Sequence, residues 1–195
     1  MYKKQMVAQK VICLLVLASS VIVFLYSLGI LTDLYDSFYL SIRNPDKPER
    51  NPIAGSTIFY DMQPFDRTFL KLSLVLILTS VFLFIMNTHS RRRYYLGNIV
   101  SVIVSVVAHA GVMVWASSQI KAFKDQFLTT VDFEAFKNYA DSMGSLYTES
   151  TFWFDLHVAV FAFSTICSLL LIANVFWKFS LMKNEAALVE AGREI

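Results

Sequence analysis

The stretch "NTHSRRRYYLGNIV" (residues 87–100) sets three consecutive arginines, Arg91, Arg92 and Arg93, in the middle of an oily chain. An apolar run precedes them and another follows. Three adjacent guanidinium groups either hold something anionic or mark one side of a membrane, and the flanking sequence decides between the two. The run before is "FLKLSLVLILTSVFLFIM" (69–86), with one charge, Lys71, near its start; the run after is "IVSVIVSVVAHAGVMVWASSQI" (99–120). A bilayer core about 30 Å thick takes about 20 apolar residues of helix, so both runs are long enough to cross. Two more runs of the same kind lie further out, "VICLLVLASSVIVFLYSLGIL" (11–31) and "FDLHVAVFAFSTICSLLLIANVFW" (154–177).

Composition agrees. Of the 195 residues 56% are hydrophobic and 16% charged, where a soluble domain carries about a quarter charged. The net charge of +2 is too small for a nucleic-acid partner. The first run follows Lys3 and Lys4, as a signal peptide would. It is longer than the 7 to 15 apolar residues typical of a signal, and bulky residues follow it, so it reads as a retained helix.

The charges alternate from one flank to the next. Lys3, Lys4 and Lys10 precede the first run with no acid among them, and the arginine turn contains none. The link 33–67 holds Asp33, Asp36, Asp46, Glu49, Asp61 and Asp66 against fewer bases. The link 121–153 holds Asp125, Asp132, Glu134, Asp141 and Glu149 against three lysines. Short segments rich in Lys and Arg stay in the cytoplasm. The expected architecture is therefore an all-α integral membrane protein: a bundle of four transmembrane helices forming one membrane domain over 1–195. Both termini are cytoplasmic, with two outer loops of about 33 residues (33–67 and 121–153) and a cytoplasmic tail, 178–195. Arg91, Arg92 and Arg93 then serve topology, each attracted to anionic lipid by about 1 kcal/mol, with Tyr94 and Tyr95 in the interfacial aromatic belt.

In the first outer loop, "RNPDKPERNP" (43–52) predicts turns and "STIFYDM" (56–62) a short strand. In the second, "VDFEAFKNYADSMG" (131–144) predicts a helix capped by Asp132 and stopped by Gly144. Its apolar stripe, Phe133, Phe136, Ala140 and Met143, either covers the bundle or docks an outside partner. "DSF" (36–38) and "DQF" (125–127) share an offset with the two "FD" pairs at 65–66 and 154–155, the trace of a duplicated hairpin. Each of these aspartates reads as a helix cap. The tail either extends the fourth helix or restarts at Asn184 and Glu185.

Candidate chemistry is sparse. Ser101, Ser105 and His109 fall four apart and share a face of the third helix. That face suits helix packing through a hydrogen-bonded neutral histidine, and it equally suits a proton or ion path. A haem between His109 and His157 is disfavoured, because their positions along oppositely running helices differ in depth by about 10 Å. No catalytic or metal-binding spacing occurs, and loop carboxylates such as Asp61 with Asp66 have nothing to fix them in a pair. Cys13 and Cys167 lie inside apolar runs, so no loop disulfide is available. This disfavours the loop-stapled four-helix animal families and suits a bacterial cytoplasmic membrane. The sequence thus points to a non-enzymatic accessory or assembly subunit of a larger membrane complex, such as a transporter, without cofactor. Its expected partners are membrane lipids and other membrane subunits or itself. The alternative is a channel-forming homo-oligomer or small transport subunit with its pore face on the third helix.

Topology is testable directly. With Cys13 and Cys167 replaced by alanine, single cysteines at Ser56 and Ser145 should react with an impermeant thiol reagent on intact cells, and one at Ser90 should not. Labelling at Ser90 contradicts the orientation.

Overall fold

The structure is a computed structural model, and it describes residues 2–38, 53–55, 57–89, 95–143 and 149–191. Among these residues five helices follow one another: α1 Tyr2–Phe38, α2 Ile58–His89, α3 Tyr95–Thr130, α4 Phe133–Met143 and α5 Phe152–Ala191. No strand occurs among the described residues. Among the described residues four helices contain stretches long and apolar enough to cross a membrane: Lys3–Ile30, Tyr60–Thr88, Asn98–Thr130 and Phe152–Asn184. In lipid a spanning segment must satisfy its own backbone, which only helices and closed barrels do.

The four helices share one burial rhythm. On α1 the buried run Gln5, Gln9, Cys13, Val16, Ser20, Val23, Ser27 and Ile30 mostly alternates steps of three and four, with Ser19 and Tyr26 buried beside it. On α2 the run Phe69, Ser73, Leu76, Ser80 and Leu83 keeps the step, as does Val102, Ser105, His109, Met113, Ala116 and Ile120 on α3. This is the seam spacing of packed helices. Large apolar residues such as Leu14, Leu78, Val107 and Leu169 stand on the opposite sides and are exposed. Large apolar residues turned outward along every long helix suit a lipid surround.

The chain divides into two compact units. One comprises Met1–Ile22, Leu74–Gly111 and Ala162–Ile195. Its core packs the small and aliphatic side chains of Cys13, Val16, Leu83, Val102, Cys167 and Leu171. The other comprises Val23–Ser73 and Val112–Phe161. Its core is aromatic: the Tyr26 ring meets Phe69 and Phe161 edge-on, each with centroids 6.0 Å apart, and Phe65 stacks on Phe69 at 5.6 Å and tilts against Trp115 at 5.4 Å. Such pairs add about 0.5–1.5 kcal/mol each beyond the area they bury.

Several local expectations change. The segment expected as a strand opens α2 instead. The Thr57 carbonyl accepts from the amides of Tyr60 and Asp61, and Ile58, Met62 and Phe65 recur at helical spacing and are buried. Pro64 sits in the second turn of that helix. Asp66 is therefore well inside α2, and Asp125 well inside α3, so neither is a cap; the helices run past their apolar stretches. Asp155 lies in the first turn of α5, where its carboxylate accepts from the Thr151 hydroxyl at 2.7 Å. Asp36 lies in α1, not ahead of a helix. Asp132 does cap α4: its side chain accepts the Ala135 amide at 3.0 Å. The tail continues α5 without a break to Ala191. Residues 43–52 and the proposed stop at Gly144 lie outside the described residues.

In the second unit the link before α2 is tied to the link between α3 and α4. The Asp132 amide donates to the Ala54 carbonyl at 3.1 Å, and Ile53 is buried. Gly55 makes the bend with φ of 76°, and a Cβ there would stand 2.4 Å from the Thr130 carbonyl oxygen. Both the dihedral and the backbone contact exclude a side chain. Gly55→Ala should destabilise the protein by more than about 1 kcal/mol, read as a lowered Tm in detergent. An unchanged Tm would show that this link is not held as described.

Candidate functional site

Polar side chains recur on the seams. In the first unit Ser20, Ser80 and His109 meet, one each from α1, α2 and α3, all at most 2% exposed. Ser20 Oγ lies 2.7 Å from Ser80 Oγ and 2.9 Å from His109 Nε2. His109 Nδ1 lies 2.7 Å from the Ser105 carbonyl. A carbonyl only accepts, so Nδ1 carries the proton; in the neutral ring Nε2 then accepts from Ser20, and Ser80 donates to Ser20. The chain of donors runs Ser80, Ser20, His109, Ser105 carbonyl, and it ends on backbone. Ser20 also approaches the Val16 carbonyl at 3.0 Å, its alternative acceptor.

Nearer the start of α1 lies a cluster of amides. Gln5 Nε2 donates to Gln9 Oε1 at 2.9 Å and to Asn174 Oδ1 at 3.2 Å. Gln9 Nε2 donates to the Asn87 backbone carbonyl at 2.9 Å, and Asn87 Nδ2 to the Leu83 carbonyl and to Ser101 Oγ. Four helices are thereby cross-linked by side-chain amides. Gln5 Oε1 and Ser105 Oγ are buried without a partner.

The second unit has its own polar contacts. Ser27 Oγ pairs with Ser73 Oγ at 3.2 Å, and the Tyr26 hydroxyl donates to the Trp153 carbonyl at 2.9 Å. His157 bonds the Phe154 carbonyl through Nδ1 and stands 3.4 Å from Ser117 Oγ through Nε2. Asp66 is 1% exposed with Oδ1 unpartnered. Asp61, by contrast, is exposed and accepts from Gln126 at 3.2 Å, so the pair Asp61 and Asp66 is split between surface and interior. Lys124 and Asp155 form an exposed ion pair at 2.5 Å, a kind of contact worth at most about 1 kcal/mol.

Of the residues singled out from sequence, Ser101, Ser105 and His109 are all buried, at 3%, 1% and 2%. The α4 stripe is turned inward: Phe136 and Ala140 are buried and the Phe133 ring meets Phe127 edge-on at 5.1 Å. As a docking surface it is therefore covered by the chain itself, and α4 presents Glu134, Lys137, Asn138 and Asp141 outward. The Met143 side chain and Arg91, Arg92 and Arg93 lie outside the description. The partners of His109 escape a reading centred on α3 alone. The signal was present: Ser20 and Ser27 are one heptad apart on α1, and Ser73, Ser80 and Asn87 are spaced by heptads on α2.

Together the fold and the polar interior define a helical integral membrane protein with four candidate spans. Compared with protein families, curated proteins and solved structures, the chain matches none.

If the serine–histidine junction clamps helices, His109→Leu should lower stability. The coupling between Ser20→Ala and His109→Leu in a double-mutant cycle should be about 0.6 kcal/mol. A raised Tm for His109→Leu would contradict the clamp.

Proposed function

We propose that this chain is a non-enzymatic accessory or assembly subunit of a larger complex, such as a transporter, in a bacterial cytoplasmic membrane. Both termini face the cytoplasm. The charge alternation between the flanking segments supports the orientation, and Cys13 and Cys167, buried in helices and not placed in loops, suit the bacterial membrane.

One observation carries the functional reading: Ser20, Ser80 and His109 on the seams of the first unit are engaged with one another. A proton path needs a donor chain that continues, and this one stops at the Ser105 carbonyl. A pore between copies of the chain needs its polar face turned outward. Ser101, Ser105 and His109 face inward, with His109 held by Ser20. What the helices leave outward is apolar, suited to lipid and to the helices of other subunits.

The test is purification of the full chain from its native membrane in a gentle detergent, followed by mass spectrometry. A second membrane protein in fixed stoichiometry is expected. A pure ring of this chain that conducts ions in liposomes would overturn the proposal in favour of the channel.

A further inference from the structure

Asp66 of the second unit is the one buried carboxylate among the described residues. Its Oδ1 has no hydrogen-bond partner. Its buried neighbours along α2 are apolar: Met62, Phe65 and Phe69. The Phe65 ring stacks on Phe69 and tilts against two rings of α3, Trp115 at 5.4 Å and Phe123 at 5.7 Å. Asp66 is therefore held behind the contact that joins the start of α2 to α3.

The charged and titratable groups of this unit do not compensate it. On α2, Arg67 and Lys71 are exposed, and Arg67 donates to Gln63 at 3.3 Å. On α3, Lys121 and Asp125 are exposed and Lys124 is paired with Asp155 of α5. On α4, Glu134, Lys137 and Asp141 are exposed. Tyr26 of α1 is within reach of the charge, but its hydroxyl donates to the Trp153 carbonyl. His157 of α5 is engaged with Ser117 and the Phe154 carbonyl. A carboxylate ion taken out of water without a partner is far costlier than a neutral acid left short of one hydrogen bond. The place therefore suits the acid form. Asp66 also stands three residues before the apolar run that begins at Phe69, beside the exposed Arg67 and Thr68. A proton can reach it from the adjoining water without crossing that run.

We propose that Asp66 is a proton-binding site that makes the second unit sensitive to pH. With the proton bound, the carboxyl stays buried and Phe65 keeps its place against Trp115 and Phe123. Without it, the charge must gain water, which works against the packing of α2 on α3. The site belongs to the second unit alone and does not rest on the accessory-subunit reading. The side from which the proton arrives does rest on the orientation: there it is the outside, so the unit tightens as the outside becomes acidic.

The experiment titrates the full chain in lipid, read by infrared spectroscopy and by thermal unfolding. At about pH 6, where exposed carboxylates are ionised, the wild type should show the carbonyl stretch of a protonated carboxyl. Asp66→Asn should lack that band, and Asp61→Asn, at an exposed carboxylate, should keep it. An unfolded aspartate ionises at about pH 3.9, so unfolding releases the proton that Asp66 holds. Stability should then be fullest below about pH 4 and fall as the pH rises, until Asp66 itself ionises. For one proton the unfolding constant grows by up to about ten-fold per pH unit. Asp66→Asn should remove that slope, and the difference from wild type cancels the other groups, His157 included. Should Asp66→Asn fail to fold, Asp66→Glu, which keeps an acid but moves the band, assigns it. Absence of the acid band from the wild type at about pH 6, or the same pH slope in wild type and Asp66→Asn, would overturn the site.

Discussion

Lipid tails are as apolar as leucine, so burying a leucine between two membrane helices gains little over leaving it in the bilayer. Packing and hydrogen bonds between helices must decide which helices associate and in what register. In this chain that decision is concentrated at Ser20. One hydroxyl touches Ser80 on α2 and His109 on α3, and its own helix at Val16. Shifting any of the three helices by one residue would rotate its polar group off the seam and leave the others unsatisfied in a medium that offers no water. Each such loss costs more than the bond gained, so the junction sets register more strongly than it adds stability.

The amide cluster obeys the same logic with longer side chains. Glutamine and asparagine both donate and accept, so Gln5, Gln9, Asn87 and Asn174 can satisfy one another across helices where serines would be too short. The second unit relies on aromatic rings instead, and there the polar bonds of Tyr26 and of the pair Ser27 and Ser73 accompany dense ring packing. Gly29 shows how close that packing is: a Cβ at this position would stand 2.2 Å from the Trp153 ring.

The four spans were legible because hydropathy over twenty residues is a strong signal and lipid admits few alternatives to a helix. Helix ends were not. Thr57, Ile58 and Asp61 start α2 well before its apolar run, and α3 continues through Lys121, Lys124 and Asp125 to Thr130, because polar residues outside the apolar stretch carry no hydropathy signal yet still extend a helix. The aspartates assigned as caps from the edge of hydropathy were misplaced for that reason. Asp132 was read correctly, because a cap followed by an amphipathic stripe is a local pattern. His109 was conspicuous from its depth, but its partners on α1 and α2 depend on how antiparallel seams align. That alignment is a property of pairs of helices. Heptad spacing of serines on both helices hints at it without naming which serine meets which.

The central claim is that Ser20 and Ser80 face each other at the junction, and disulfide cross-linking reads this most directly. In a chain with Cys13 and Cys167 replaced by alanine, Ser20→Cys with Ser80→Cys should form a bond under mild oxidation in native membranes. Ser20→Cys with a cysteine at Leu78, which faces outward, should not. Equal cross-linking of both pairs, or of neither, would contradict the account.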